Sequence, residues 1–327
     1  VILHSTDLEV GIKTTITASV NTDGEGLFPT TELNDIISVI GEGRVDIEIA
    51  GPHINIKSEK GTSFDIPTLP FQEYPKVPEN KHETIYNINT SELKKILDVI
   101  IYAINKDQLK PALSGALFSF SEEGLNFVST DGHRLVVVEK KNESNIIEDF
   151  IVPKKYLNML SSFIQGQKES SLIFSNNHVF INNDGDVLYS RLIDEKYPNY
   201  SAVIPQDNSY VLKLQKEDFL NSIKATFIAT NKNTNQISLN LALGEVFLKS
   251  VNQPESKTVH APLKTAEYNG EKISIGFNAT YLKEAITNYP SEEILFVFKD
   301  ELSATLLLPE TKNHKITILL MPVRINE

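Results

Sequence analysis

Apolar positions along this chain recur with two different periods. A helical spacing of three and four residues links Leu33, Ile36, Ile37 and Ile40; Leu93, Ile96, Leu97, Ile100 and Ile101; Leu157, Leu160 and Phe163; Phe219, Ile223, Phe227 and Ile228; and Leu282, Ala285 and Ile286. Between these stretches lie short runs that alternate or stay apolar and are rich in β-branched and aromatic residues, as in Val45-Asp46-Ile47-Glu48-Ile49, Ile54-Asn55-Ile56-Lys57, Val179-Phe180-Ile181, Phe296-Val297-Phe298 and Ala304 to Leu308. They read as strands. Asn183-Asp184-Gly185-Asp186, Glu122-Glu123-Gly124 and Tyr268-Asn269-Gly270-Glu271 supply turn chemistry between them. Pro29 and Pro153 suit helix starts, where an N–H is not needed. The pattern predicts an α+β fold in units of about 120 residues, each with two helices packed on antiparallel sheet.

The same short markers return in step. Ser5-Thr6-Asp7 after an apolar run is matched by Ser129-Thr130-Asp131, 124 residues on, and by Ser250-Val251-Asn252, a further 121 on. Phe28-Pro29-Thr30-Thr31-Glu32-Leu33, Val152-Pro153-Lys154-Lys155-Tyr156-Leu157 and Phe277-Asn278-Ala279-Thr280-Tyr281-Leu282 repeat at offsets of 124 and 125, each opening a helix. A third marker, the strand and helix through Leu93, returns 126 residues later at Phe219. The first repeat shows no counterpart, so by analogy roughly 30 to 40 residues holding one strand, one helix and further strand are expected to precede Val1. Polar, Pro-bearing linkers near Pro75–Glu83 and Tyr197–Asn208 divide the chain into 1–82, the repeat expected to lack its first strand and helix, 83–206 and 207–327.

Composition narrows the chemistry. The absence of Cys excludes disulfides, thiolate nucleophiles and Cys-ligated zinc. No apolar run reaches the ~18 residues of a membrane helix and Val1-Ile2-Leu3-His4-Ser5 lacks signal-peptide features, so a cytoplasmic location is expected. A net charge of −12 argues against a surface uniformly built for phosphate and leaves nucleic-acid binding open only if basic residues are segregated.

Several motifs, taken together and in this order, resemble one family, the bacterial DNA sliding clamps, the beta subunit of the replicative polymerase. They are Leu113-Ser114-Gly115, Ser129-Thr130-Asp131-Gly132-His133-Arg134-Leu135, Tyr197-Pro198-Asn199-Tyr200 with Val203-Ile204-Pro205, Ile275-Gly276-Phe277-Asn278-Ala279-Thr280-Tyr281-Leu282, and Met321-Pro322-Val323-Arg324. The resemblance implies three clamp-type domains per chain, two chains joined head to tail in a homodimer ring around duplex DNA, and a tether for the replicative polymerase. It implies a peptide-binding pocket for linear motifs of polymerase, clamp loader and repair proteins at Leu113, Thr130, Gly132, His133, Arg134, Leu135, Pro198, Val203, Asn278, Tyr281, Leu319, Leu320, Met321, Pro322 and Val323. Leu, Val, Pro and Met suit aromatic and aliphatic anchors, while Arg134, His133 and Asn278 suit peptide backbone or a carboxylate. The bland reading is an ordinary last strand and ordinary core. This chain departs from relatives at Ala202, Thr234 and Glu255-Ser256-Lys257, where a basic residue, a larger apolar residue and stronger acidity are common.

A ring holds DNA by enclosure, so its lining needs only modest positive potential and no sequence preference. Candidate DNA-facing residues are Lys94, Lys95, Lys106, Lys110, Lys154, Lys155, Lys216, Lys224 and Lys232; the competing reading is solvated helix faces. Catalysis is not expected: Asp131 and His133 stand without a nucleophile elbow, phosphate loop or HExxH, and the other histidines lack ligand spacing, so neither metal nor cofactor is expected. A monomeric repeat scaffold that binds peptides without encircling DNA shares the pocket and stays open as the alternative.

Overall fold

The computed structural model describes residues 1–72, 74–78, 84–107, 109–175, 177–232 and 234–325. The chain divides into two compact units, Val1–Lys81 with Phe180–Ser190, and His82–Val179 with Arg191–Glu327. The fold is α+β, with antiparallel sheets flanked by helices.

In the first unit the hairpin Ile2–Thr6 and Val10–Thr15 pairs through its second strand with Val187–Ser190. Helix α1 (Thr30–Ile40) packs on the three-stranded sheet Val45–Ala50, His53–Ser58 and Ser63–Pro67. Ile36, Ile40, Ile54 and Ile56 form that core, with Leu33 and Phe64 packed against it, while Ile37 is exposed. Part of the helical spacing therefore marks solvent rather than core.

The second unit holds the two later repeats. Helices α2 (Thr90–Ile100) and α3 (Lys154–Phe163) belong to one, α4 (Lys216–Phe227) and α5 (Ala279–Thr287) to the other. Asn89 caps α2 by accepting from the Ser91 and Glu92 amides, and Asn278 caps α5 through Thr280 and Tyr281. Pro29 and Pro153 stand at the N-cap positions of α1 and α3 with extended backbone. Phe227 and Ile228, whose spacing suggests core at the end of α4, are exposed.

One sheet runs through both repeats. Asp149–Pro153, Gly115–Phe120, Leu125–Thr130 and Arg134–Lys140 come from the earlier repeat, and Lys315–Leu320, Thr305–Leu307, Glu293–Phe298, Tyr210–Gln215 and Glu267–Tyr268 continue it from the later one. The join is antiparallel, with Leu135 opposite Leu319 and Arg134 opposite Leu320. A strand edge that each repeat would otherwise expose is closed by the other.

Repeat equivalence extends to single hydrogen bonds. The buried Ser129 hydroxyl donates to the Ile100 carbonyl at the end of α2, and the buried Ser250 hydroxyl donates to the Thr226 carbonyl at the end of α4, each at 2.7 Å. In both places a serine on a core strand adds a side-chain hydrogen bond to a carbonyl in the last turn of a helix.

Candidate functional site

The site grows from the turn Thr130–Arg134. The Thr130 hydroxyl donates to the Arg134 carbonyl (2.6 Å) and accepts from the Gly132 amide (3.0 Å), while Asp131 Oδ1 accepts from the amides of His133 (2.9 Å) and Arg134 (3.1 Å). Gly132 sits at φ +90°, a left-handed value that disfavours a Cβ. Thr130 and Gly132 thus shape the loop.

Alternation along the strand sends Arg134 and Leu135 to opposite faces. On one face Leu135, Leu319, Leu117, Val128, Val137, Ile151, Tyr197 and Leu306 form a buried cluster, with Leu113, Tyr200 and Ile204 packed against it. The linker after Arg191 lies over this cluster and is fastened by Tyr197 Oη to the Val128 carbonyl (3.4 Å), the Ile193 amide to the Ile151 carbonyl (3.0 Å), and Asn208 Nδ2 to the carbonyls of Val297 (3.2 Å) and Ala304 (3.1 Å).

Leu135, Leu319 and Leu320 are each only 2% exposed, so they are framework of the site rather than ligand-touching surface. Leu320 shares its face with Arg134 rather than with Leu135. The surface beside the cluster is supplied by Pro198, Val203, Met321 and Val323, all exposed, with Pro322 half-buried. The Met321 amide donates to the His133 carbonyl and the Val323 amide to the Gly276 carbonyl, each at 2.9 Å. A Cβ at Gly276 would meet the Val323 carbonyl oxygen at 2.3 Å, so the tail can run there only past a glycine.

On the other face Arg134 is 4% exposed and fully engaged. Its Nε donates to Asp131 Oδ2 (3.0 Å), Nη1 to Glu284 Oε2 (2.5 Å) and Nη2 to the Tyr102 carbonyl (2.7 Å), and its guanidinium lies 4.6 Å from the Tyr281 ring centre and 5.1 Å from that of Tyr102. Arg134, expected to meet peptide backbone or a carboxylate, is held here by two carboxylates of this chain. His133 stacks on Tyr281 with centroids 5.8 Å apart. Burial raises the Tyr281 phenol above its ordinary range, with Asp131 adding to the effect. A cavity of about 350 Å3 opens here, lined among others by Lys106, Lys110, His133, Arg134, Tyr281 and Glu284. Asn278 is occupied as the α5 cap.

The candidate DNA-facing lysines separate as well. Lys94, Lys95, Lys155 and Lys224 are exposed on α2, α3 and α4, and Lys232 is exposed just beyond α4. Lys106 and Lys110 flank the cavity. Two are half-buried and bonded within the chain. Lys154, first residue of α3, donates to the Ile104 carbonyl just after α2 (2.9 Å), and Lys216, first residue of α4, donates to the Tyr289 carbonyl just after α5 (2.6 Å). Each ties the start of one helix to the end of its neighbour. Burial and then Lys106 and Arg134 lower the Lys154 pKa. Sequence reasoning missed Glu284 and Tyr102, of which only Glu284 left a signal, one helical turn after Tyr281, and it quoted Tyr197 and Tyr200 as a motif without giving them a role in the site.

Of the noted departures, Ala202 and Thr234 are exposed, and Lys257 pairs with Glu255 at 2.6 Å on the surface. Among the described residues no three His, Asp or Glu side chains gather as for a metal ion, and no helix is long and apolar enough to cross a membrane.

Two repeats joined edge to edge in one sheet, each with a helix pair, and an apolar surface beside the join define a multi-domain clamp architecture rather than a catalytic cleft. Comparison with known proteins agrees. Models for the N-terminal, central and C-terminal domains of the DNA polymerase III beta subunit match residues 1–78, 87–199 and 201–324. The beta sliding clamps of Pseudomonas putida and Rickettsia felis are 26% and 27% identical, each alignment covering 99% of this chain and 88% of the relative. Among solved structures, the sliding clamp of Bartonella birtlesii bound to griselimycin matches with a TM-score of 0.92 at 26% identity, covering 99% of this chain and 88% of that one. The beta subunit of Pseudomonas aeruginosa matches at 0.90 and 26%, covering 99% and 90%. The chain belongs to the bacterial DNA polymerase III beta subunits, the sliding clamps, which are ring-shaped homodimeric processivity factors.

Proposed function

We propose that the exposed surface of Pro198, Val203, Met321, Pro322 and Val323, together with the His133–Tyr281 mouth of the cavity, receives short linear motifs of the replicative polymerase, the clamp loader and repair proteins. The single observation that carries this reading is exposed apolar side chains standing directly beside a large buried apolar cluster, with Met321 41% and Val203 55% exposed. Such a surface gives an aromatic or aliphatic anchor a dry place to land at little reorganisation. Leu113, half-buried against the cluster, is the part of its floor nearest solvent.

The second element of the proposal is duplex DNA held without sequence preference by the exposed Lys94, Lys95, Lys155, Lys224 and Lys232, in a head-to-tail homodimer whose chains each contribute modules 1–82, 83–206 and 207–327. Enclosure, not tight grip, keeps such a protein on DNA.

The test uses a polymerase-derived peptide and the double variant Val203→Asp with Met321→Ala. Affinity should fall by about a hundredfold, the loss of two anchor contacts, with thermal stability nearly unchanged because both residues are surface. Unchanged affinity rejects the pocket. Leu135→Ala is unsuitable, since that residue is core. For DNA, Lys94→Glu with Lys95→Glu and Lys155→Glu should shorten retention on circular duplex; normal retention rejects this face. Sedimentation that finds only monomer at micromolar concentration favours the peptide-binding scaffold.

A further inference from the structure

The two repeats of the second unit treat the same strand edge differently. In the later repeat, Tyr210–Gln215 pairs on one side with Glu293–Phe298 and on the other with Glu267–Tyr268, where Leu212 faces Tyr268 and Lys213 faces Glu267. Tyr268 is 5% exposed, its ring 6.4 Å from Tyr210 and 6.0 Å from Phe298. The Gln215 amide continues the attachment by donating to Thr265 Oγ1 at 3.0 Å. A short extended segment has been laid along the edge.

In the earlier repeat the corresponding strand, Thr84–Asn89, pairs with Glu169–Phe174 on one side. Among the described residues it has no strand on the other. The connection that supplies Glu267–Tyr268 in the later repeat has its counterpart in residues 141–148, and these fold elsewhere. Asn142 Nδ2 donates to the carbonyls of Ser121 (2.8 Å) and Ile146 (3.0 Å), and the Ser144 amide and hydroxyl both donate to Asn142 Oδ1. This draws the segment toward Phe120, whose amide and carbonyl bond Glu148, and away from Thr84–Asn89.

What remains is a groove of about 660 Å3 between the strand and the connection. Ile85 and Ile147 line it and are 48% and 66% exposed. Tyr86 also lines it, 4% exposed, and its hydroxyl has no hydrogen-bond partner among the described residues. An edge presenting unpaired backbone groups beside apolar side chains is a template for strand addition.

We infer that the open edge of Thr84–Asn89 takes an extended segment of a partner protein as an added antiparallel strand. The later repeat displays the kind of occupant that fits: an aromatic residue facing Tyr86, as Tyr268 faces Leu212. Opposite Asn87, where the later repeat has Lys213 against Glu267, the occupant carries an uncharged polar residue. Its backbone or side chain also offers an acceptor to the Tyr86 hydroxyl. The groove is separate from the surface around Met321 and stands whether or not that surface binds linear motifs.

A fluorescent synthetic peptide with the sequence of Leu263–Glu271 carrying Glu267→Gln, so that an uncharged polar residue falls opposite Asn87, titrated into the full chain, tests this. Expected are saturable binding, slowed amide exchange at 84–89, and about tenfold weaker affinity both for Ile147→Asp and for a peptide with Tyr268→Ala. Met321→Ala leaves this affinity unchanged, which separates the groove from the linear-motif surface. Ile147 is exposed, so Ile147→Asp should keep its circular dichroism spectrum. No binding, or binding indifferent to Ile147→Asp, overturns the inference. Self-association of the chain abolished by Ile147→Asp overturns it too, since the occupant is then a second copy.

Discussion

The turns Thr6–Val10 and Thr130–Arg134 belong to different units and carry the same hydrogen bonds between side chain and backbone. Thr6 Oγ1 donates to the Val10 carbonyl and accepts from the Leu8 amide, and Asp7 Oδ1 accepts from the amides of Glu9 and Val10, matching Thr130 and Asp131 bond for bond. The third position takes a left-handed φ in both, +76° at Leu8 and +90° at Gly132. The difference lies at the last residue: Val10 is buried as a hydrocarbon, whereas Arg134 is buried as an ion among Asp131, Glu284 and two aromatic rings. Local side-chain chemistry fixes the turn, and what the turn delivers depends on the neighbours that await its final side chain.

The largest expected effect tests that difference directly. Arg134→Ala leaves two carboxylates without their cation and should lower unfolding free energy by about 3 to 5 kcal/mol in chemical denaturation, against about 2 kcal/mol for Val10→Ala. Equal losses would mean that the ion cluster adds nothing beyond packing. Ser129→Ala and Ser250→Ala come next, each expected to lose about 1 kcal/mol with the removal of one buried hydrogen bond. A large inequality between them would break the equivalence of the two repeats.

At the turns themselves, Gly132→Ala should destabilise by about 1 kcal/mol, while Leu8→Gly, at an exposed position, should gain a few tenths of a kcal/mol through relief of left-handed strain offset by chain entropy. A loss on Leu8→Gly would show that the Leu8 side chain packs in solution.

The smallest effect is a pH slope. Burial, the first cause in each case, lowers the pKa of His4 in one unit and of His178 and His314 in the other below 6.5. The unfolded chain then binds protons more readily than the folded one, so the stability these residues contribute is complete above pH 6.5 and is lost as pH falls from there through the lowered folded values. His4→Gln should flatten the slope for the first unit, where His4 Nε2 and the Tyr189 hydroxyl are 2.6 Å apart. An unchanged thermal midpoint profile between pH 7 and 5 would remove His4 from the account.

Much of the architecture was legible in the apolar pattern. The five helices stand where three- and four-residue spacing put them, because a helix buries one stripe of side chains whatever it packs on. The misplaced core positions, Ile37, Phe227 and Ile228, sit on the margins of those stripes or at helix ends. In the site, residues whose role is local could be read from spacing: Thr130, Asp131 and Gly132 act within four residues of one another. The contact of Arg134 with Glu284, 150 residues away, is invisible to local spacing. Leu135 and Leu320 looked alike in sequence and lie on opposite faces of one sheet.

By itself the sequence determined a threefold recurrence, the turn that opens each site strand, the helix starts and the absence of thiol chemistry, all of which depend on residues near one another in the chain. Tertiary structure alone decided that Lys154 and Lys216 bind carbonyls of neighbouring helices, that Phe180–Ser190 packs with the first unit, and that one repeat covers a strand edge which, among the described residues, the other leaves open. Those outcomes turn on which surfaces meet, and two segments distant in sequence acquire a preference for each other only once both are folded.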